Sequence, residues 1–179
     1  MALLPVLTYP AASLKKKSVD VDKVTSRIQD LVGIMYATMD KENGIGLAAP
    51  QIGENINLFV MDVGRPNPID PENPLSNRIC MINPKLQSKE GLIQYEEGCL
   101  SCPELLVTVD RARAIVVSSL DIEGRPQILT LSELEAVCTQ HEMDHLVGVL
   151  LTDRISNLQR EMYAKKVRKR RDDSDKGDV

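Results

Sequence analysis

One stretch decides how this chain is interpreted: residues 132–146, SELEAVCTQHEMDHL. Its apolar residues recur at three- and four-residue steps, and Ser132 with Glu135 three positions later has the pattern of a capping box. The stretch therefore predicts a helix that carries His141 and His145, the only two histidines of the chain. Positions i and i+4 share one face of a helix, so both imidazoles can reach the same ion. Two unrelated surface histidines would be the alternative.

The residue after the first histidine is Glu142, which completes the H-E-x-x-H pattern of metal-dependent hydrolases. A catalytic metal usually keeps three protein ligands and one open position, so a third ligand is needed. One protease group continues as H-E-x-x-H-x-x-G-x-x-H. Here Gly148 is in place, but Leu151 stands where the third histidine belongs, and leucine cannot bind a metal. Asp153 downstream and Cys99 upstream remain as candidates.

Composition describes an ordinary globular chain of one domain. It has 179 residues, 42% hydrophobic and 27% charged, with a net charge of −4. No apolar run approaches the ~20 residues of a membrane span, and the first residues lack a basic, apolar leader, so we expect a cytoplasmic protein without a membrane partner. In that compartment the four cysteines are expected as free thiols or metal ligands.

The remaining chain alternates short apolar runs with turn signals. A helix is predicted near 20–41, ended by Asn43-Gly44, and a proline-rich loop over 64–78. Ser156 with Gln159 predicts a second capping box before a basic terminal helix. Strands are predicted at 58–63, 79–83, 92–96, 105–109, 114–121 and 127–131. Few βαβ alternations occur, which favours an α+β fold: short mixed or antiparallel strands around a central helix that carries H-E-x-x-H.

Three motifs occur in a fixed order along the chain: GIGLAAPQ at 44–51, EGCLS at 97–101 and QHEMDH at 140–145. Together they resemble the peptide deformylase family, and the flanking chain from about 5 to 170 fits that family's layout. The resemblance implies a single catalytic domain over 1–171, with a C-terminal helix at about 156–171. Residues 172–179 would then form an acidic, disordered tail.

The resemblance also implies an activity: hydrolysis of the formyl group, as formate, from N-formylmethionyl nascent polypeptides, by attack of metal-bound water on the formyl carbon. It implies an Fe²⁺ ion natively, and a thiolate with two imidazoles also suits Zn²⁺, Ni²⁺ or Co²⁺. It implies that the metal ligands are Cys99, His141 and His145. It implies Glu142 as the acid–base, and an oxyanion hole formed by the Gln51 amide and the Leu100 N–H. It implies a substrate pocket at Ile45, Gly46, Gly98, Val137 and Cys138.

Cys99 and Cys102 form a C-x-x-C pair, which allows two other interpretations. One is a redox motif, although Pro103 follows and the flanks suggest an extended chain. The other is a structural zinc site with the two histidines, a binding module without chemistry. Alternation in an extended segment sends the two thiols to opposite faces, so we expect Cys102 to be a core residue. The family usually has an aliphatic side chain there.

Two further features are charged. Asp144 lies within the histidine motif, and a structural ion pair with Arg111 or Arg113 is expected for it, because a buried carboxylate needs a partner. The basic run at 165–171 is typical of a solvated helix end, or of an electrostatic contact with nucleic acid. Since members of the resembled family dock at the ribosome through a C-terminal helix, the ribosome is a candidate partner. If the chain is an enzyme, the alternative to a deformylase is another kind of metallopeptidase.

Overall fold

The computed structural model describes residues 3–65 and 75–177, with side chains up to 170. The predicted proline-rich loop therefore lies mostly outside the described residues. Three α-helices and seven strands occur in the described parts of the chain: α1 (Ser26–Lys41), β1 (Gly46–Ala48), β2 (Leu58–Asp62), β3 (Arg78–Glu90), β4 (Ile93–Glu97), β5 (Val107–Arg111), β6 (Ala114–Leu120), β7 (Pro126–Ser132), α2 (Glu133–Leu146) and α3 (Asn157–Gly177). None of the helices described is long and apolar enough to cross a membrane.

The strands form two antiparallel sheets. Five of them pair in the order β1-β2-β3-β6-β7, and β4 pairs with β5 in a separate ribbon. The helix α2 packs against β1, β2 and β7 of the larger sheet. The predicted α+β class with antiparallel strands is confirmed, and α2 contains both histidines.

Strand β2 explains where the core lies. Leu58 and Val60 point to one face of the sheet and pack with α1, whereas Phe59 and Met61 point to the other face and pack with α2. All four side chains are fully buried. Because a helix covers each face of this strand, its sequence is a continuous apolar run and does not alternate with polar residues.

The two predicted capping boxes have different outcomes. At α3 the box forms: the Ser156 N–H donates to Gln159 Oε1 at 3.0 Å, and the Gln159 N–H donates to Ser156 Oγ at 3.3 Å. At α2 the prediction is wrong, because Ser132 makes no side-chain cap bond. Its intended partner Glu135 instead accepts a hydrogen bond of 2.8 Å from Asn77.

Gly148 has a structural explanation. It follows α2 with φ +76°, a conformation that favours glycine, and a Cβ there would lie 2.5 Å from the carbonyl oxygen of Lys15. The glycine of the apparent H-E-x-x-H-x-x-G pattern therefore lets the chain leave α2 and pack closely on the N-terminal segment. It contributes nothing to a third histidine ligand.

The helix α3 is joined to the rest of the fold by Tyr163, which is buried and packs in a cluster with Leu14 and Cys102. Its hydroxyl donates to the Pro103 carbonyl oxygen at 3.1 Å. The backbone of α3 continues to Gly177, beyond the predicted end near 171. The predicted acidic tail overlaps this last part of the helix, and residues 178–179 lie outside the described residues. Disorder of the tail stays a prediction.

Candidate metal centre and active site

Helix α2 brings its two histidines together as their spacing predicts. The Nε2 atoms of His141 and His145 lie 3.2 Å apart. The third donor is Cys99, whose Sγ lies 3.2 Å from His145 Nε2, and all three atoms lie within 4.8 Å of one another. Cys102 is not part of this group.

Cys99 does not lie on an extended segment. Strand β4 ends at Glu97, and residues 99–102 form a turn closed by a 2.9 Å hydrogen bond from the Cys102 N–H to the Cys99 carbonyl oxygen. The predicted alternation of Cys99 and Cys102 to opposite faces is therefore wrong. The other prediction for Cys102 is confirmed, because its side chain is fully buried in an apolar cluster.

The chemistry of the three donors fits a metal ion. Metal–nitrogen bonds of about 2.0–2.1 Å at a tetrahedral ion place two nitrogens about 3.3 Å apart, close to the 3.2 Å separation of the histidines. Burial lowers the pKa of His145 well below its usual range, so this imidazole is neutral, as metal binding requires. The neighbouring Cys102 thiol and burial both raise the pKa of Cys99, so its thiolate needs the positive charge of an ion.

Glu97 orients the first histidine, a role that sequence analysis missed. Its carboxylate lies 2.8 Å from His141 Nδ1, which leaves Nε2 directed at the site. Arg111 from β5 donates two further bonds to the same carboxylate, at 2.7 and 2.9 Å. Burial opposes the charge, but Arg111 and His141 together lower the pKa of Glu97 to about 2. Glu97 therefore stays charged at neutral pH and supports His141.

Asp144 is the ion-paired residue that was predicted. Its carboxylate accepts from Arg111 at 2.7 Å, and Arg154 contacts it as well. Arg113, the other candidate partner, pairs with Glu133 on the surface. One guanidinium thus joins Asp144 on the histidine helix to Glu97 on β4.

Glu142 has the opposite surroundings from Glu97. Its side chain is buried, and its Oε2 has no hydrogen-bond partner among the described residues. Burial raises its pKa to about 7. Gly46 makes room for it, since a Cβ at that position would overlap Glu142 Oε1 and lie 2.9 Å from Cys138 Sγ.

Gln51 is held by its own loop. Its Oε1 accepts from the Ala48 N–H at 2.8 Å, and its Nε2 donates to Ser101 Oγ at 3.1 Å and lies 3.8 Å from Cys99 Sγ. The amide nitrogen therefore lies beside the metal-donor group, and Gln51 and Leu100 line the same cavity.

A cavity of about 400 Å³ opens onto these residues. It is lined by Gln51, Cys99, Leu100, His141 and Glu142. All five residues of the expected substrate pocket line it as well: Ile45, Gly46, Gly98, Val137 and Cys138. His145 lies deeper and does not line it. Tyr95 and Leu134 also line the cavity and were not anticipated, because they belong to none of the three motifs.

Comparisons with known proteins all point to one family. The family model described as "Polypeptide deformylase" matches residues 3–161. A "Peptide deformylase 2" of Xanthomonas axonopodis is 45% identical, covering 96% of this chain and 98% of the relative. A peptide deformylase of Baumannia cicadellinicola is 44% identical, covering 94% and 96%. The crystal structure of the Ehrlichia chaffeensis peptide deformylase superimposes with a TM-score of 0.89 at 33% identity, covering 97% and 99%. The chain belongs to the polypeptide deformylase family.

Proposed function

We propose that this chain hydrolyses the formyl group, as formate, from N-formylmethionyl nascent peptides, with Cys99, His141 and His145 holding the ion and Glu142 moving the proton. By its family the chain is a metal-dependent hydrolase that removes N-terminal formyl groups. One observation carries the roles of the residues: three metal donors lie together beside a cavity, and that cavity is also lined by Glu142, whose Oε2 has no partner among the described residues.

The ion, when bound, supplies a nucleophile near neutral pH by lowering the pKa of a coordinated water. One thiolate and two imidazoles accept Fe²⁺, Zn²⁺, Ni²⁺ or Co²⁺, and Fe²⁺ is proposed as the native ion. Protein prepared without oxygen should contain iron and lose activity in air, whereas the zinc form should be less active. Air-stable activity that follows zinc content alone would contradict this part of the proposal.

Glu142 is proposed to take a proton and to return it to the departing amine. A general base works best when its pKa lies near the operating pH, and burial raises the pKa of Glu142 towards that range. The neighbouring Glu97 cannot share this role, because Arg111 and His141 hold it in the charged form.

Two donors are proposed to stabilise the oxyanion that develops on the formyl oxygen. An amide nitrogen carries two N–H groups, so Gln51 can keep one on Ser101 and offer the other to the substrate. The Leu100 N–H is the second donor, on the turn that also carries Cys99. Loss of one such donor costs about 10²–10³-fold in kcat.

The decisive experiment compares products and metal together. The protein is incubated with a formyl-methionyl tripeptide, and formate and free amino acid are measured separately. Formate release without amino acid release supports deformylation, whereas amino acid release would identify another metallopeptidase. The Cys99→Ser variant should lose most of its metal and its activity, and a variant that keeps both would contradict the ligand assignment.

The ribosome is the proposed partner, with the cytoplasm as the place of action. Lys165, Arg168 and Lys169 lie exposed on α3, whereas Lys166 and Arg170 pair with Glu104. Phosphate contacts would weaken steeply with salt, because counterions are released. Removal of α3 is a poor test, since it takes away the buried Tyr163.

Charge variants make a cleaner test of ribosome binding. Changing Lys165, Arg168 and Lys169 to Gln should weaken binding to ribosomes at low salt and leave hydrolysis of a short formylated peptide intact. Changing three other exposed lysines (Lys41, Lys85 and Lys89) to Gln is the matched control for net charge. Equal loss of binding in both triple variants would leave the basic run as an ordinary solvated helix end.

A further inference from the structure

Cys99 and Cys102 are close enough to be joined. The hydrogen bond from the Cys102 N–H to the Cys99 carbonyl oxygen closes a four-residue turn. In such a turn the first and fourth Cα atoms lie within about 7 Å, and disulfides span about 4.4–6.8 Å between Cα atoms. The Cα separation in such a turn is therefore compatible with a disulfide between these two residues.

The two side chains also belong to the same apolar cluster. Cys102 is fully buried in a cluster with Leu14, Val107 and Tyr163, and Cys99 packs against the same cluster. The effect of the Cys102 thiol on the pKa of Cys99 reflects the same closeness. On its other side Cys99 lines the cavity, so a small molecule in the cavity reaches Cys99, while Cys102 is reached only through its neighbour.

We propose that Cys99 and Cys102 form a reversible disulfide when the protein meets a peroxide. The Cys99 sulfur attacks hydrogen peroxide, becomes a sulfenic acid and releases one water. The Cys102 sulfur then attacks the Cys99 sulfur, the S–S bond forms, and the hydroxyl leaves as a second water. Two thiols lose two electrons and two protons in total, and the peroxide is reduced to two waters.

The disulfide has a consequence that rests on the proposed function of Cys99 as a metal ligand. A sulfur in a disulfide is no longer a thiolate donor, so the oxidised protein should release its ion. The bond also protects Cys99. A sulfenic acid that finds no thiol is oxidised further to sulfinic and sulfonic acids, which thiol reductants do not reverse. Cys102 therefore converts permanent damage into a stored, reducible state.

The test uses peroxide-treated protein and mass spectrometry. No Lys or Arg lies between Lys89 and Arg111, so trypsin releases both cysteines in one peptide, residues 90–111. In the treated protein this peptide should be about 2 Da lighter, and dithiothreitol should restore its mass. Metal content measured on the same samples should fall on oxidation and recover after reduction and addition of metal.

Variants separate this pair from the other thiols. In Cys102→Val, and in Cys102→Ala as a second choice should the first fold poorly, the same peptide should gain two or three oxygens that dithiothreitol does not remove. Cys80→Val, altered in a different cluster, should behave like the unaltered protein. Irreversible oxidation of Cys99 in the unaltered protein, or a bond from Cys99 to Cys138, would overturn the proposal. Because the readout is mass, failure of formate release would leave this result standing.

Discussion

Glu97 and Glu142 are two buried carboxylates at one site, and the protein gives them opposite character. Their exposures are similar, 5% and 3%. Glu97 accepts two hydrogen bonds from Arg111 and contacts His141, and its pKa falls to about 2. Glu142 has an oxygen without a partner among the described residues, and burial raises its pKa to about 7. Burial alone therefore does not decide the charge of a carboxylate.

The difference teaches which residue can exchange a proton near neutral pH. A carboxylate that is charged at every physiological pH can position a ligand, but it cannot return a proton to a leaving amine. A carboxylate whose pKa lies near neutral pH can both accept the proton and return it. The protein obtains both properties from the same residue type, because only Glu97 is paired with an arginine.

The largest expected effect comes from removing the poised carboxylate. Glu142→Gln keeps the shape of the side chain and removes the base, so kcat should fall by about 10²–10⁴-fold. Metal should stay bound, because Glu142 is not among the three donors. Activity against a formylated peptide and metal per protein are measured together. A metal-free variant would show that Glu142 has been misassigned.

Glu97 should influence metal affinity through His141, the residue that its carboxylate contacts. Glu97→Gln leaves His141 without its anionic acceptor, and loss of such a support typically lowers metal affinity by about 10–100-fold. It also breaks a buried ion pair, which costs about 3–5 kcal/mol of unfolding free energy. Competition with a chelator and denaturant unfolding measure the two effects.

The neighbouring Glu96 provides the control for this change. Its side chain is exposed, so Glu96→Gln makes the same chemical substitution one residue away without breaking a buried pair. This variant should leave metal affinity and stability close to those of the unaltered protein. Equal effects at Glu96 and Glu97 would remove the distinction on which the role of Glu97 rests.

The pH dependence of stability in metal-free protein should separate the two residues. Glu142 has its folded pKa raised, so its contribution to stability is present below about 4.5 and is lost as pH rises to about 7. Glu97 has its folded pKa lowered, so its contribution is present above about 4.5 and is lost as pH falls to about 2.

The unfolding free energy is measured against pH for the unaltered protein and for Glu142→Gln. The difference between the two curves isolates the contribution of Glu142. Unfolding free energy should decline by roughly 3 kcal/mol more in the unaltered protein between pH 4.5 and 7. A flat difference curve would mean that Glu142 is not the group poised near neutrality.

The smallest effect is expected at a third carboxylate. Asp144 shares Arg111 with Glu97, but its side chain is 22% exposed and Arg154 also contacts it. Asp144→Asn should cost about 1 kcal/mol or less, and metal affinity should be unchanged. The same unfolding and chelator measurements apply. A cost equal to that of Glu97→Gln would mean that burial does not explain the difference between them.

Local patterns predicted the parts of the site that depend on local geometry. Helical spacing placed His141 beside His145, and a capping box correctly marked the start of α3. Arg111 was expected as a partner of Asp144, but its bonds to Glu97 escaped notice. Those bonds depend on strands β4 and β5 pairing with Ile93 opposite Arg111. That register follows from packing of the whole chain. The cap expected at Ser132 failed for the same reason, since Asn77 competes for Glu135.

The strand alternation expected for Cys99 and Cys102 failed for a local reason that the sequence does contain. Two successive turns follow β4, the second closed by a 3.1 Å bond from the Leu105 N–H to the Cys102 carbonyl oxygen. Pro103 lies within the second turn, where a fixed φ is favourable. Period-two alternation does not hold across these residues, because the segment is not a strand.

The cluster beneath Cys102 also bears on how fast the molecule folds. Leu14 and Cys102 are separated by about 90 residues, and Tyr163 follows about 60 residues later, so these contacts close very large loops. Contacts of this kind repay their entropy cost only late in folding. Substitutions in the cluster should therefore accelerate unfolding more than they slow folding. The turn that carries Cys99 would be among the last parts of the chain to become fixed and among the first to be released.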